Sequence, residues 1–264
     1  MQDSQSLLLL YNFLYANLDN LYLAYSHLEE EAKPIFLADL LGTYSGDFSH
    51  FIFGEEPQYF FPKVKVQPGD IVIDGGSYDG RTAKEFLDAG AKAVYSFELD
   101  EDNYPAVEKA AKMWGFVPEN MGLWDTETSY NYYHSNTGSR VDAGGNAVAK
   151  LIDIDRYVAQ KNIERVDFIK MDIEGSEAKA LLGARETIRR FKPRLAICTY
   201  HKWQDMWELP LIVKQLEPSY KIYWRHYAPL TNGFPAEQKA VLDSYNVPNF
   251  SGTAWEKVMY CIAD

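Results

Sequence analysis

From residue 64 onward, short apolar runs alternate with amphipathic stretches, and this alternation constrains the fold more than any other feature of the chain. "DIVIDGG" (70–76) reads as a buried strand after the turn "QPGD". "RTAKEFLDAGA" (81–91) follows as a helix, "KAVYSFELD" (92–100) as a second strand and "NYPAVEKAAKMWG" (103–115) as a second helix stopped by Gly115. "FVPENMGLW" (116–124) predicts a third strand and "VDFIKMDIEG" (166–175) a fourth. "SEAKALLGARETIRRF" (176–191) predicts one helix, "RLAICTYH" (194–201) a strand, and "WELPLIVKQLEPS" (207–219) another helix. The last two strands are expected at 220–228 and 255–264. Buried strands separated by helices imply a parallel sheet covered on both faces. Right-handed crossovers then put a ligand crevice at the C-terminal strand ends.

The first third reads differently. Leu7, Leu10, Leu14, Leu18, Leu21, Tyr25 and Leu28 recur at helical spacing and predict one long helix over 4–32. Pro34 opens a short second helix around "IFLADLL", and 42–63 reads as a connection or cap. The domain boundary is expected near 62/63, with a helical extension before it. A chain of 264 residues, 47% apolar, has material for one large α/β core and such an extension. Its net charge of −12 repels phosphate backbones and argues against general nucleic-acid binding. Cys198 and Cys261 lie in apolar runs and form no CxxC pattern, so buried free thiols are expected. "LLLLY" (7–11) lacks a basic flank and is soon broken by Asn12, Asn17 and Asp19, which fits neither a signal peptide nor a membrane span. A reducing, cytoplasmic setting follows as the expectation.

Chemistry-bearing residues gather at the strand ends. Asp74-Gly75-Gly76-Ser77-Tyr78-Asp79-Gly80 joins the first strand to the first helix of the sheet region. Its glycines allow positive φ and close backbone approach to a ligand, and the helix start offers free N–H groups. GxGxxG is absent, and two acids would flank a phosphate. A zwitterion fits better, with Asp74 facing a cation and the helix start a carboxylate. A plain Asp-Gly turn is the alternative. Glu98 ends the second strand 24 residues after Asp74, where a carboxylate accepts from a ribose diol. Together these residues indicate an adenosine-type cofactor, either S-adenosylmethionine or a nicotinamide dinucleotide.

Lys170, Asp172, Glu174 and Glu177 crowd the end of the fourth strand. Alternation puts the first three on one side, with Asp172 at the crevice mouth. Glu177 reads as an acid favoured at a helix start. His201, just past the fifth strand, is a candidate general base toward a hydroxyl. Asp172 and His201 could instead share a divalent cation with substrate oxygens. His226 reads equally as a packed strand residue, His27 and His50 as structural, and His134 is unplaced. The aromatic clusters 129–134, 202–207 and 223–227 either fill the core or stack on sugar faces.

With these motifs in view, the chain resembles the FkbM-type methyltransferase family, which is S-adenosylmethionine-dependent with a Rossmann-like sheet. One family pattern is an aspartate, spaced glycines and a threonine, matched by Asp74, Gly76, Gly80 and Thr82. A more specific one reads D-F-I-K-x-D-x-E-G-x-E, matched by Asp167, Phe168, Ile169, Lys170, Asp172, Glu174, Gly175 and Glu177, with "ALLGA" following. "SFELD" resembles the acidic second-strand end, with Leu99 where the family has proline. The resemblance covers about 66–200, and "YHKWQDMWELP" and "YWRHY" resemble one branch of the family. It implies a class I methyltransferase fold: seven strands, mostly parallel, with the last inserted antiparallel. It also implies methyl transfer, usually to a hydroxyl of a sugar, lipid or polyketide.

The resulting expectation is an S-adenosylmethionine-dependent O-methyltransferase acting on a small molecule or glycan, with a carbohydrate as the leading acceptor. Asp74, Gly75, Gly76, Gly80 and Thr82 would hold the methionine part and Glu98 the ribose. Leu99, with Leu123 or Trp124, would flank the adenine. His201 or Asp172 would take the hydroxyl proton. The N-terminal segment would cap the cleft or make a homodimer contact, and the insertion 229–254 would close over the acceptor. The alternatives are a nicotinamide-dependent oxidoreductase and a non-catalytic cofactor-binding or assembly subunit.

Overall fold

The computed structural model describes residues 12, 14–45, 47–135, 138–227 and 256–263. The start of the expected long helix and the 229–254 insertion lie outside the described residues. The central sheet is built from β1 (Ile71–Gly75), β2 (Ala93–Phe97), β3 (Val117–Glu119), β8 (Phe168–Met171), β9 (Arg194–Cys198), β10 (Lys221–His226) and β11 (Lys257–Ile262). Its order is β10-β11-β9-β8-β1-β2-β3, and β11 runs antiparallel between β9 and β10, as expected. The remaining pairings are parallel.

Period-two burial explains why both faces of this sheet are covered. Ile73, Phe97, Ile169, Leu195 and Met259 point into one apolar layer. Val72, Val94, Phe168, Ala196 and Tyr260 point into the other. Helices α3 (Arg81–Asp88) and α4 (Tyr104–Trp114) cover the second layer with Ala83, Phe86, Val107 and Ala110. Helices α5 (Ile154–Gln160), α6 (Glu177–Leu182), α7 (Arg185–Phe191) and α8 (Asp205–Leu216) cover the first.

The N-terminal segment wraps the β10 edge. Helix α1 (Leu18–Ser26) ends six residues earlier than the expected 32, because the chain leaves it to dock on the sheet. Leu28 bridges Ile222, and the Glu29 amide donates to the Ile222 carbonyl (2.9 Å). Helix α2 (Lys33–Ser45) is longer than expected and is fastened by buried polar groups. Trp224 Nε1 donates to Asp39 (2.6 Å), His226 Nδ1 lies 2.5 Å from the other Asp39 oxygen, and Lys257 Nζ donates to Thr43 (2.9 Å). His226 is therefore a packed strand residue. Phe53 bridges His226 further along, so this segment occupies what would otherwise be an open sheet edge.

Three more expectations are corrected. The single strand over 116–124 is split: β3 joins the main sheet, while β4 (Gly122–Leu123) joins a second sheet. That sheet has the order β4-β7-β5-β6, with β5 (Thr128–Tyr133), β6 (Arg140–Val141) and β7 (Ala147–Ile152). The helix over 176–191 breaks at Gly183, where a Cβ would overlap the Trp124 carbonyl. The fourth strand stops at Met171, four residues early, and turns through Glu174 (φ 53°) and Gly175 (φ 90°). Both cysteines are free and buried. Among the described residues, no helix is long and apolar enough to cross a membrane.

Candidate active site

The glycine loop is held from behind. Gly76 has φ 83°, and a side chain there would overlap the Asp172 carbonyl. Amides of Gly76 and Ser77 both donate to the Phe97 carbonyl (3.0 Å each). Lys170, fully buried, donates to the carbonyls of Gly75 (2.8 Å) and Gly76 (2.6 Å). Its ammonium lies 3.3 Å from Asp74, whose other oxygen accepts from Ser96 (2.7 Å). Burial alone would lower the Lys170 pKa, but the Asp74 and Asp172 carboxylates raise it. Lys170 therefore does not share the crevice face with Asp172 and Glu174. Asp74 likewise has no exposed surface and does not line the cavity, and it braces the loop through Lys170.

In front of this loop lies an open cavity. Gly76, Tyr78, Glu98, Leu99, Leu123, Asp172 and Glu174 contribute to its wall. Glu98 is pinned by backbone: its oxygens accept from the amides of Tyr78 (2.7 Å) and Asp100 (2.9 Å). Burial raises its pKa against the pull of those donors. The Asn103 side chain is a third donor, which leaves one lone pair for a further one. Leu99, Met121, Leu123, Val141 and Ile173 supply the cavity's apolar lining. The hairpin β5–β6 is latched to the end of β2, where His134 bridges Asp100 and Asp102 (3.1 Å each) and Ser139 bonds Asp100. Neither Ser139 nor Val141, both in the wall, was foreseen: Ser139 lies in a loop, and the two-residue β6 is too short to show a period.

Four expected cofactor residues lie off the wall. The Gly75 α-carbon abuts Leu123, where an added Cβ would sit 2.8 Å from Cδ1. Gly80 precedes α3 and packs toward Ala110 and Phe116. Thr82 is on α3, and Trp124 stacks on Tyr130 with its ring centroid 6.4 Å away.

A cluster of side chains closes the other end. Asp172 accepts from Tyr59 (2.8 Å) and Tyr200 (3.0 Å). Tyr59 arrives from the N-terminal segment with φ 67°, its amide bonded to the Tyr260 hydroxyl (2.8 Å). His201 Nε2 stands 3.4 Å from Asp172 and 3.6 Å from Glu174, and its Nδ1 is 2.8 Å from Glu177. Burial alone would lower the His201 pKa, but Glu177, Asp172 and Glu174 push it far up. Burial would raise Asp172, yet His201, Lys170 and Tyr59 hold it far below the usual carboxylate range. Asp205, beside this group, is pushed up to about 7 by burial and by Glu177. A general base has to accept a proton, and this setting favours a ring that already carries one. Glu177 also accepts from the Ile173 amide (2.9 Å), so it does more than complement a helix start.

The model of the methyltransferase FkbM domain matches residues 74–220, more than half of the chain. The chain belongs to the FkbM methyltransferase family. The 2-O-methyltransferase NoeI of Sinorhizobium fredii (strain NBRC 101917 / NGR234) is 25% identical over 193 residues, which is 59% of this chain and 74% of NoeI. The crystal structure of methyltransferase FkbM from Methylobacillus flagellatus KT matches with a TM-score of 0.72 at 20% identity. That match covers 95% of this chain and 60% of the other, so the chain spans about three fifths of that protein's length and shares its fold.

The cavity of this FkbM methyltransferase suits S-adenosylmethionine. The Gly76 α-carbon is at the wall, where no side chain stands between backbone and ligand. A backbone-pinned carboxylate at the end of β2 suits a ribose diol, and the Leu99–Leu123 end suits a flat base.

Proposed function

We propose that the protein methylates a hydroxyl oxygen, with a carbohydrate as the acceptor. One observation carries the reading: the glycine-and-Glu98 cavity opens onto Asp172 and Glu174, so a donor site and a polar acceptor end share one wall. NoeI, named a 2-O-methyltransferase, supports oxygen as the target. S-adenosylmethionine, when bound, supplies an electrophilic methyl on a sulfonium sulfur. The protein's work is to line up the acceptor oxygen behind that methyl and to handle its proton. Gly76 and Glu98 hold the donor, and Leu99 and Leu123 flank the base. Tyr59 and Tyr200 fix Asp172 at the acceptor end.

Calorimetric titration with S-adenosylhomocysteine, with NAD in parallel, tests the donor site. Micromolar binding of the first and none of the second is expected, followed by transfer of labelled methyl to sugar hydroxyls. Binding of NAD alone would refute the reading. The same reading takes the N-terminal helices as a homodimer contact, because Leu18, Tyr22, Leu23, Leu37 and Leu41 are exposed there. Light scattering that returns the monomer mass at micromolar concentration removes that part.

A further inference from the structure

Charges at the acceptor end do not balance. Asp172, Glu174 and Glu177 converge on His201. Lys170, the buried cation beyond them, is already paired with Asp74. The His201 side chain is only 6% exposed, and its Nε2 makes no hydrogen bond although it points between Asp172 and Glu174. Separations of 3.4 and 3.6 Å are long for a hydrogen bond. Ligand atoms around a shared ion are spread by roughly 3.0–3.4 Å for bonds of about 2.1 Å, so Asp172 fits and Glu174 needs to move in by a few tenths of an ångström. One donor atom from each of Asp172, Glu174 and His201 lies within 4.8 Å of the other two.

We propose that Asp172, Glu174 and His201 bind one divalent transition-metal cation, of the Mn²⁺ type, at the acceptor end of the cavity. Two carboxylates neutralise a divalent charge, and an imidazole nitrogen favours a first-row transition ion over Ca²⁺ or Mg²⁺. The surroundings are those of a ligating histidine. Glu177, fully buried, lies 2.8 Å from Nδ1, the nitrogen left over when Nε2 ligates. Asp205 stands behind the same ring. Asp172 and Glu174 are partly exposed and line the cavity, which leaves the ion open to an outside oxygen. Resting on the methyl-transfer reading, that oxygen is the acceptor hydroxyl. Bound to the ion, it would lose its proton to solvent more easily and keep the electron pair for the new O–C bond, while the methyl–sulfur bond breaks and its pair stays on sulfur. His201 is then a ligand and not the base.

Mn²⁺ titration of the purified protein, read by electron paramagnetic resonance, tests this beside S-adenosylhomocysteine calorimetry. One Mn²⁺ per chain is expected, with binding weakened about 100-fold or more in Glu174→Gln and His201→Ala. Retained S-adenosylhomocysteine binding shows that both variants fold. Wild-type protein that binds S-adenosylhomocysteine but no Mn²⁺, with or without that ligand, overturns the proposal. So does equal Mn²⁺ binding in wild type and both variants. Mn²⁺ binding without S-adenosylhomocysteine binding upholds the ion site and removes the methyl-transfer reading instead.

Discussion

The two ends of the cavity are built in opposite ways. At the donor end, one β-α-β unit folds on itself, and backbone atoms do most of the shaping: the Gly76 amide, the Phe97 carbonyl, and the amides that hold Glu98. Its buried charges cancel in a pair, Lys170 with Asp74. At the acceptor end, Tyr59, Asp172 and the neighbours Tyr200 and His201 come from three separate segments, side chains do the shaping, and negative charge is in excess. A backbone-built site is part of the fold, whereas a side-chain cluster can be altered with the fold intact. Variants at the first end should therefore cost stability, and variants at the second should cost turnover.

Lys170→Met gives the largest expected effect. It leaves Asp74 buried without its partner, at about 3–5 kcal/mol, and it frees the carbonyls of Gly75 and Gly76. Thermal and urea unfolding should show that loss, and adding Asp74→Asn should recover part of it. Full recovery of stability without recovery of cofactor binding would show that the pair tunes the loop and not the fold. Gly76→Ala follows, at about 2–4 kcal/mol from left-handed strain and overlap with Asp172. Calorimetry should find no S-adenosylhomocysteine binding in that variant.

This contrast also explains what could be read from the sequence. The sheet, its antiparallel last strand and the loop from Asp74 to Gly80 follow from periodicity and local motifs, because each is set by neighbours in the chain. Glu98, Leu99 and Leu123 were legible as cavity residues for the same reason. Asp74 carries a local signal for a ligand, while its ion pair with the packed Lys170 shows only in the folded chain. Strand alternation gave Lys170 the same face as Asp172, but the chain leaves the strand at Met171. Tyr59 carried no local signal: it meets Asp172 across 113 positions, from a segment outside the family core. The helix break at Gly183 was missed because the obstacle, the Trp124 carbonyl, comes from another part of the chain.

At the acceptor end, His201→Ala should lower kcat about 100-fold while S-adenosylhomocysteine affinity stays near wild type. A matching loss of affinity would merge the two ends into one unit and break the contrast. Tyr59→Phe should act more mildly. It removes one of the two tyrosine donors to Asp172, about 1.5 kcal/mol or roughly tenfold in kcat. Steady-state kinetics should place the change in kcat and not in S-adenosylhomocysteine binding.

The smallest effect tests whether Glu98 belongs to the donor end through its charge. Burial raises its pKa, so it takes a proton at higher pH than an exposed glutamate does. Protonation turns one acceptor oxygen into a donor, and the ribose diol then has fewer lone pairs to meet. S-adenosylhomocysteine affinity should therefore fall as pH drops from neutral through the raised pKa. Stability moves the other way. A carboxyl whose folded pKa lies above its unfolded value binds protons more tightly when folded, so its stabilising contribution is complete below the unfolded pKa and is lost as pH rises through the folded one. Affinity and stability should then diverge over the same acidic window. Glu98→Gln separates charge from shape. Its amide group must face one of the two backbone N–H donors that the carboxylate now accepts, so its binding is weaker at every pH. What decides the matter is the slope: in Glu98→Gln the acid limb of the affinity profile should flatten. An unchanged slope would assign the titration to another group and leave Glu98 as a purely structural hinge between β2 and the loop.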